Sequence, residues 1–297
     1  MDTRILEEKD IDQAKALWQE AFGDGRRFVD LYFSRRIRPG NSLGVFHGGE
    51  LVSCLHLIPY AMDMRGAPVQ TAYIAGAATR VDWRGQGLMA GLLRDALHVM
   101  KKRGVCIAHL VPFSHAFYAR FGWAVSTRKV TRVITGGDTG GHTARARADA
   151  ADMLRLYARY MRGLYGYVLR SEDDFAYRMR ESRAGGERAA FVYRGGALCG
   201  YAFYAVKDGK AECSEAVFEN EAALSALSAC ILAGSGAREA SLPLPVCRAR
   251  RGEAAADYGM ARVTDAAELL KLLPLRAVSF TAEVQDGFAP WNSGVYE

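Results

Sequence analysis

The stretch Ala77-Ala-Thr-Arg-Val-Asp-Trp-Arg-Gly-Gln-Gly-Leu-Met-Ala-Gly-Leu-Leu93 joins two kinds of pattern. The residues from Val69 to about Val81 read as a strand, and from Leu88 to Arg103 apolar residues recur at helical spacing until Gly104 stops them. Arg84-Gly-Gln-Gly87 therefore falls between a strand and a helix. Its unpaired amides point outward at the positive end of the helix dipole, the glycines let backbone approach an anion without Cβ interference, and Arg84 adds charge. The spacing fits neither a Walker loop nor a complete Gly-x-Gly-x-x-Gly fingerprint, and no acidic residue about 20 positions on follows a strand. Taken alone, the loop is either an anion site or a structural strand-to-helix turn.

Upstream, Asp10 and Gln13 resemble a capping box, and Ile11, Ala14, Leu17, Trp18, Ala21 and Phe22 share one helical face. A second helix runs from about Arg26 to Arg36. Leu43 to His47 and Leu51 to Ile58 form a hairpin around Gly48-Gly49-Glu50, because paired glycines supply the positive φ of a tight turn. Downstream, Val105 to Val111 reads as a strand broken by Pro112. Ser114 caps a short helix, His115 to Phe121, ended by Gly122, and a strand from Trp123 to Ile134 follows. The order α-α-β-β-β-α-β-α-β makes this an α/β or α+β unit.

Residues 135–150 lack apolar periodicity and read as a linker. Beyond it, Val192-Tyr-Arg-Gly-Gly-Ala-Leu198 matches Val45-Phe-His-Gly-Gly-Glu-Leu51 at the valine, the aromatic, both glycines and the leucine, offset by 147 residues. The order of helices and strands after it is compatible with a second copy, although Gly-Gly hairpins are common. Where that copy would carry the glycine loop it has Phe218-Glu-Asn-Glu-Ala222, whose two carboxylates would repel a phosphate. If the halves are related, only the first binds one.

The chain has 297 residues, half of them apolar and about a quarter charged, a balance that excludes disorder and fibre and fits about two domains. No apolar run approaches the roughly 18 residues of a membrane span, and the start has no signal-peptide pattern, so the cytoplasm is expected. Six cysteines without Cys-x-x-Cys spacing read as reduced thiols, and no metal is expected. The net charge of +6 does not decide between a phosphate ligand and plain solubility. Runs such as Arg248-Ala-Arg-Arg251 carry no nucleic-acid recognition motif.

The second informative stretch is Phe113-Ser-His-Ala-Phe-Tyr118-Ala-Arg-Phe-Gly-Trp123. Together with Arg84-Gly-Gln-Gly-Leu88 and its helix, Phe117-Tyr-Ala-Arg-Phe-Gly-Trp123 resembles the GNAT N-acetyltransferases. The degenerate second copy and the tail Phe280-Thr-Ala-Glu-Val-Gln-Asp-Gly-Phe-Ala-Pro-Trp-Asn292 look more specifically like the Eis-type branch (enhanced intracellular survival proteins). The resemblance implies tandem GNAT-like domains, each a mixed central sheet flanked by helices, the second degenerate, with a short C-terminal β segment. The expected boundaries are 1–134 for the acetyl-CoA-binding domain, 135–150 for the linker, 151–264 for the degenerate copy and 265–297 for the start of a sterol-carrier-like domain or a packed tail.

Carried over by motif, the resemblance implies that Ala77, Ala78 and Thr79 offer backbone groups to the pantetheine arm of acetyl-CoA. Arg84, Gly85, Gln86, Gly87, Leu88, Met89 and Ala90 would wrap its pyrophosphate, and Phe113 and Ser114 would flank its far side. Tyr118 would be the general acid that protonates the leaving CoA thiolate. By local pattern alone, a tyrosine between Phe117 and Phe121 on a short amphipathic helix is a core residue. Met89 departs from the small residue usual in many GNATs and would crowd a phosphate there.

The branch uses a C-terminal carboxylate as base, which here would be that of Glu297, at the end of a chain that looks short of a full third domain. His56 is a fallback base, or a packed strand histidine. The function implied is direct acetyl transfer to a primary amine of a small molecule or peptide: an aminoglycoside-like compound, a polyamine or a lysine side chain. The alternative is a non-catalytic ligand-binding module on the same scaffold. Cys106 reads as a buried thiol rather than an acyl carrier, Asp24 and Asp30 as surface carboxylates or attractors of a cationic amine, and a homo-oligomer as a possibility from the resemblance.

Overall fold

The chain starts with a strand that no sequence pattern announced, β1 (Asp2–Ile5), followed by α1 (Ile11–Phe22) and α2 (Arg26–Arg35). Next come β2 (Ser42–His47), β3 (Glu50–Met64), β4 (Ala67–Thr79), α3 (Leu88–Lys102), β5 (Ile107–Leu110), α4 (His115–Ala119) and β6 (Ala124–Val125). The computed structural model describes residues 1–273 and divides them into two units. The first unit takes Met1–Thr127 and the described residues from Tyr258 on; the second takes Arg128–Asp257.

In the first unit the strands lie in the order β1-β2-β3-β4-β5, all antiparallel except for the parallel pair β4/β5. α3 buries Leu92, Leu93, Ala96 and Met100, and α1 buries Ala14, Leu17 and Trp18, each set one helical stripe wide. Asp10 does not open α1 with Gln13 as expected. Its carboxylate holds Arg4 at 2.6 Å and accepts from the Glu7 amide at 2.7 Å, while Gln13 accepts from the Leu51 amide at 2.8 Å.

The second unit contains β7 (Arg128–Ile134), β8 (Thr143–Arg145), α5 (Ala150–Tyr160), β9 (Tyr167–Val168), α6 (Glu172–Ala184), β10 (Arg188–Arg194), β11 (Ala197–Lys207) and β12 (Lys210–Phe218). It ends with α7 (Glu221–Ser235), β13 (Ala240–Pro245) and β14 (Ala255–Asp257). Its sheet order is β8-β10-β11-β12-β13-β7-β14, again with one parallel pair, β12/β13. The repeat extends to local geometry. Gly48-Gly49 and Gly195-Gly196 have φ of 57° and 88° against 57° and 82°, and each hairpin shifts register at the same place, Val45/Phe46 and Val192/Tyr193.

The chain then returns to the first unit as β15 (Met260–Val263) and α8 (Ala266–Leu272). β15 lies between β5 and β6, antiparallel to both, where β7 lies between β13 and β14 in the second sheet. Each sheet thus receives its penultimate strand from the other half of the sequence.

This corrects the expected boundaries. The strand read as Trp123–Ile134 breaks at Ser126-Thr127, and its second part belongs to the second sheet, so the division falls at 127 rather than 134. The 135–150 linker contains β8, paired with β10, and the second unit ends at 257 rather than 264. Residues 266–272, expected to open a third domain, form α8, whose Leu269 packs on Val69, Cys106 and Ile107 of the first unit. The expected C-terminal β segment lies outside the described residues.

Candidate functional site

The site grows from the end of β4. After Thr79 the chain makes a single 3-10 turn, Val81–Trp83, then the exposed loop Arg84–Gly87, and enters α3 at Leu88. Gly85 and Gly87 have φ of 76° and 77°, the left-handed region that favours glycine, and a Cβ at either would meet nothing within 4 Å. Arg84 Nε donates to the Thr79 carbonyl at 3.1 Å, turning the guanidinium back along the loop. No side chain caps α3, and its hydrogen-bond ladder begins only with the Gly91 amide donating to Gly87 at 3.1 Å. The amides of Leu88, Met89 and Ala90 thus lack helical acceptors and sit at the positive end of the dipole.

The second unit has the opposite design at the same place. There, two residues join β12 to α7, and the Asn220 side chain caps the helix by accepting from the Ala223 amide at 3.0 Å. Only the first unit leaves this helix end open to an anion. Met89, half-buried in the first turn of α3, leaves Gly85 and Gly87 uncrowded on the Cβ side.

Just before its end, β4 is bulged. Cys54 faces Ala78 but His56 faces Ala75, so β4 holds one more residue than β3 across Gly76-Ala77. Gly76 has φ of 56°, and a Cβ there would lie 2.3 Å from the Trp18 ring. Pairing with β5 ends at Tyr73–His109, while β4 continues to Thr79. The two strands part, leaving the outer edge of β4 from Ile74 to Thr79 without a strand partner among the described residues. Ala77, Ala78 and Thr79 lie on this edge.

Across the parting stand Phe113, Ser114 and Tyr118. Ser114 caps α4, its Oγ accepting from the Phe117 amide at 3.3 Å. Tyr118 is buried, with only 4% of its surface exposed, among the rings of Phe117 at 5.1 Å, Phe113 at 5.7 Å and Trp123 at 6.1 Å. Burial, and secondarily the neighbouring Tyr73, holds its phenol well above the usual range, so it remains a proton donor at neutral pH. Phe113 is 73% exposed and rests against Phe117 at 5.1 Å.

Other sequence candidates separate from this place. His56 is sealed in the core, its Nδ1 2.7 Å from Ser42 Oγ and its ring beside Trp18 and Phe33, and burial pushes its pKa down to about 3. It is a packed strand histidine. The Cys106 thiol is buried and pushed up by desolvation, Asp24 accepts from Trp18 Nε1 at 2.7 Å, and Asp30 pairs with Lys15 at 2.9 Å. Glu297 lies outside the described residues. Among the described residues no three His, Cys, Asp or Glu side chains are grouped to hold a metal, and no helix is long and apolar enough to cross a membrane.

Sequence reading missed the bulge at Gly76 and the return of the chain to the first unit at Tyr258. A bulge glycine in an alanine-rich strand carries no local signal, and Tyr258 reaches the first unit from 140 residues beyond Tyr118.

Residues 2–126 match the family described as Acetyltransferase (GNAT) domain. A protein from Enterococcus faecalis described as a probable N-acyltransferase is similar in fold, with a TM-score of 0.74 at 19% identity over 92% of this chain and 75% of that one. Eis1 from Mycobacterium abscessus gives 0.65 at 20% over 89% and 74%. The N-myristoyltransferase of Saccharomyces cerevisiae, solved with myristoyl-CoA, gives 0.57 at 11% over 87% and 77%. At these identities the likeness is one of fold, and it spans both units. The first unit therefore carries a stretch, residues 2–126, that matches an acetyltransferase domain of the GNAT type, and the fold of the chain fits a tandem GNAT-like architecture.

Proposed function

We propose that the protein transfers an acetyl group from acetyl-CoA directly to a primary amine, with Tyr118 as general acid. One observation carries this reading: the open amide cradle of Arg84–Ala90 and the buried phenol of Tyr118 lie at the two sides of the parting between β4 and β5. The cradle suits a pyrophosphate, because donors without acceptors and the dipole both favour an anion. The unpaired edge at Ala77–Thr79 suits an extended amide-bearing arm, which can bond to it as a strand would.

The thioester carbonyl would then face the parting. The amine must arrive unprotonated, since an ammonium has no lone pair for attack. As the C–N bond forms and the C–S bond breaks, negative charge develops on sulfur, and the Tyr118 O–H meets it. Phenol and thiol would share the same poorly solvated place, so desolvation raises both and keeps their proton affinities comparable. The base that frees the amine is not His56, whose ring is sealed in the core. The tandem architecture and the likeness to Eis1 support placing the chain with the Eis-type branch, and an amine-bearing small molecule or peptide is the acceptor class that fits.

Calorimetric titration with acetyl-CoA, with CoA alongside, tests the reading. Saturable binding lost on replacing Arg84 and Gly87 is expected. No heat at millimolar acetyl-CoA would overturn it in favour of a binding module for another ligand.

A further inference from the structure

Behind the bulge in β4 stands one aromatic ring. A Cβ built on Gly76 would lie 2.3 Å from Cζ3 and 2.6 Å from Cε3 of Trp18, and 2.9 Å from Cδ2 of His56. The missing side chain thus lets the indole of α1 press directly against the strand. At this point the wall beside β4 is the Trp18 ring, with no side chain of β4 in between.

The wall is held firmly. Trp18 is 3% exposed, and its Nε1 donates to Asp24 Oδ2 at 2.7 Å. The rings of Phe22, Tyr32 and Phe33 surround it at 5.0, 5.3 and 5.7 Å. A hydrogen bond from the indole nitrogen and tilted or edge-on neighbours fix both the position and the tilt of the ring.

The course of the proposed cofactor leads to this wall. With its pyrophosphate on the open end of α3 and its arm along Ala77–Thr79, acyl-CoA runs backward along β4, so its thioester end arrives at Gly76. Three residues further back, Tyr73 is paired with His109 and the two strands are joined again. Strands in register lie about 4.8 Å apart, too close for a methylene chain to pass between them. A chain longer than acetyl must therefore turn out of the cleft at the bulge. Toward α4 it meets the proposed proton donor Tyr118, ringed by Phe113, Phe117 and Trp123. Toward α1 it meets Trp18.

We propose that Trp18 sets the length of the acyl group: its ring takes the apolar space behind the bulge that a longer chain would need, so the donor is a short-chain acyl-CoA and not a medium-chain one. The inference rests on acyl-CoA lying along β4 as proposed above. A smaller apolar residue at position 18 leaves a cavity walled by Phe22, Tyr32 and Phe33, next to a strand residue that has no side chain to block it. Apolar cavities of this kind stay dry and take apolar guests.

The test is calorimetric titration of the full chain with CoA, acetyl-CoA and hexanoyl-CoA, in the parent, Trp18→Leu, Trp18→Ala and Phe28→Leu. Phe28 is buried on α2 and stacks on Tyr32 at 5.5 Å, so its loss damages the same core without opening the wall. The parent is expected to bind hexanoyl-CoA at least about tenfold more weakly than acetyl-CoA. Trp18→Leu and Trp18→Ala are expected to bring hexanoyl-CoA to within about twofold of acetyl-CoA, or to make it the tighter ligand. Phe28→Leu should lower the melting temperature and leave the parent's ratio unchanged. Should Trp18→Ala fold poorly, Trp18→Leu keeps apolar bulk in the core while removing the ring.

Equal affinity of the parent for the two thioesters, or a ratio that neither Trp18 variant moves, would overturn the inference while leaving acetyl-CoA binding in place. Binding of none of the three ligands by the parent would instead remove the cofactor reading, and this inference with it.

Discussion

Thr127 and Gly259 hold each other from both sides: the Gly259 amide donates to Thr127 Oγ1 at 2.8 Å while the Thr127 amide donates to the Gly259 carbonyl at 3.2 Å. The chain leaves the first unit at Thr127 and re-enters it at Tyr258, one residue before Gly259. A fragment of residues 1–134 therefore lacks β15 and exposes the facing edges of β5 and β6. It is expected to melt without cooperativity and to self-associate, whereas grafting residues 258–273 onto it through a flexible linker restores a cooperative transition by circular dichroism. A fragment that melts as sharply as the full chain would contradict this.

Gly76→Ala places a methyl group 2.3 Å from the Trp18 ring and 2.9 Å from His56, at a φ of 56°. Overpacking and backbone strain together are expected to cost about 3–5 kcal/mol, read as a lowered denaturation midpoint. Gly91→Ala, on the half-buried face of α3 with no atom within 4 Å of its Cβ, is the control and is expected to be neutral or stabilising.

Gly85→Ala and Gly87→Ala add Cβ atoms that touch nothing in the protein, so their folding cost is limited to the left-handed backbone, about 1 kcal/mol. If the loop cradles a pyrophosphate, the same Cβ atoms and the altered amide directions should weaken acetyl-CoA at least tenfold in calorimetry. Asn220→Ala in the second unit removes a cap and is expected to lower stability by about 1 kcal/mol with acetyl-CoA affinity unchanged.

Tyr118, Tyr157, Tyr160 and Tyr258 all have phenols held above their ordinary value of 10.0 by burial. A raised folded-state value means that the stability they contribute is intact below pH 10 and declines above it, where the unfolded chain ionises first. Turnover should show no alkaline limb from Tyr118 below pH 10. Above it, phenolate absorbance and loss of circular dichroism are expected to rise together. A reversible fall in turnover centred below pH 10 in a folded protein would remove Tyr118 as the acid.

In the second unit Arg132, 3% exposed, receives Glu253 through two bonds of 2.7 and 2.9 Å. The guanidinium, followed by the Arg250 amide, draws the carboxyl from 4.5 down to about 2. The stability from this lowered value is full above pH 4.5 and is lost as pH falls toward 2. Glu253→Gln leaves the buried Arg132 guanidinium with the Arg248 carbonyl at 2.7 Å and only the more distant Glu221 carboxylate, at 3.8 Å, as counter-charge, and is expected to cost about 3 kcal/mol at neutral pH and to flatten the acid dependence of urea denaturation.

How far sequence reading reached depended on the distance between interacting residues. The hairpin at Gly48-Gly49, the helix from Leu88 and the Ser114 cap were all legible, because each is fixed by residues a few positions apart. The strand-to-helix loop at Arg84–Gly87 and the short helix that carries Tyr118 were legible the same way, while the roles proposed for them come from the family resemblance. Lys129-Val130-Thr131-Arg132-Val133 shows where this stops. Its alternation announces a strand, and it is one, but alternation says nothing about which sheet will take it. Its partners, Ala240–Pro245 and Ala255–Asp257, are more than 100 residues away, and β13 carries Pro243 and Pro245, which hide it from strand propensity. The bulge at Gly76 and the approach of Tyr258 are equally non-local.

The exchange of β7 and β15 also sets a timetable. When a ribosome has completed β6, the first sheet still lacks a strand that lies about 130 residues ahead. At 5–20 residues per second, that gap lasts on the order of ten seconds. For that interval the nascent acetyltransferase domain presents two unsatisfied strand edges, and synthesis of the entire second unit must finish before its sheet can close. The half whose helix end is capped by Asn220 is thus, in time, a prerequisite for the half whose helix end is open.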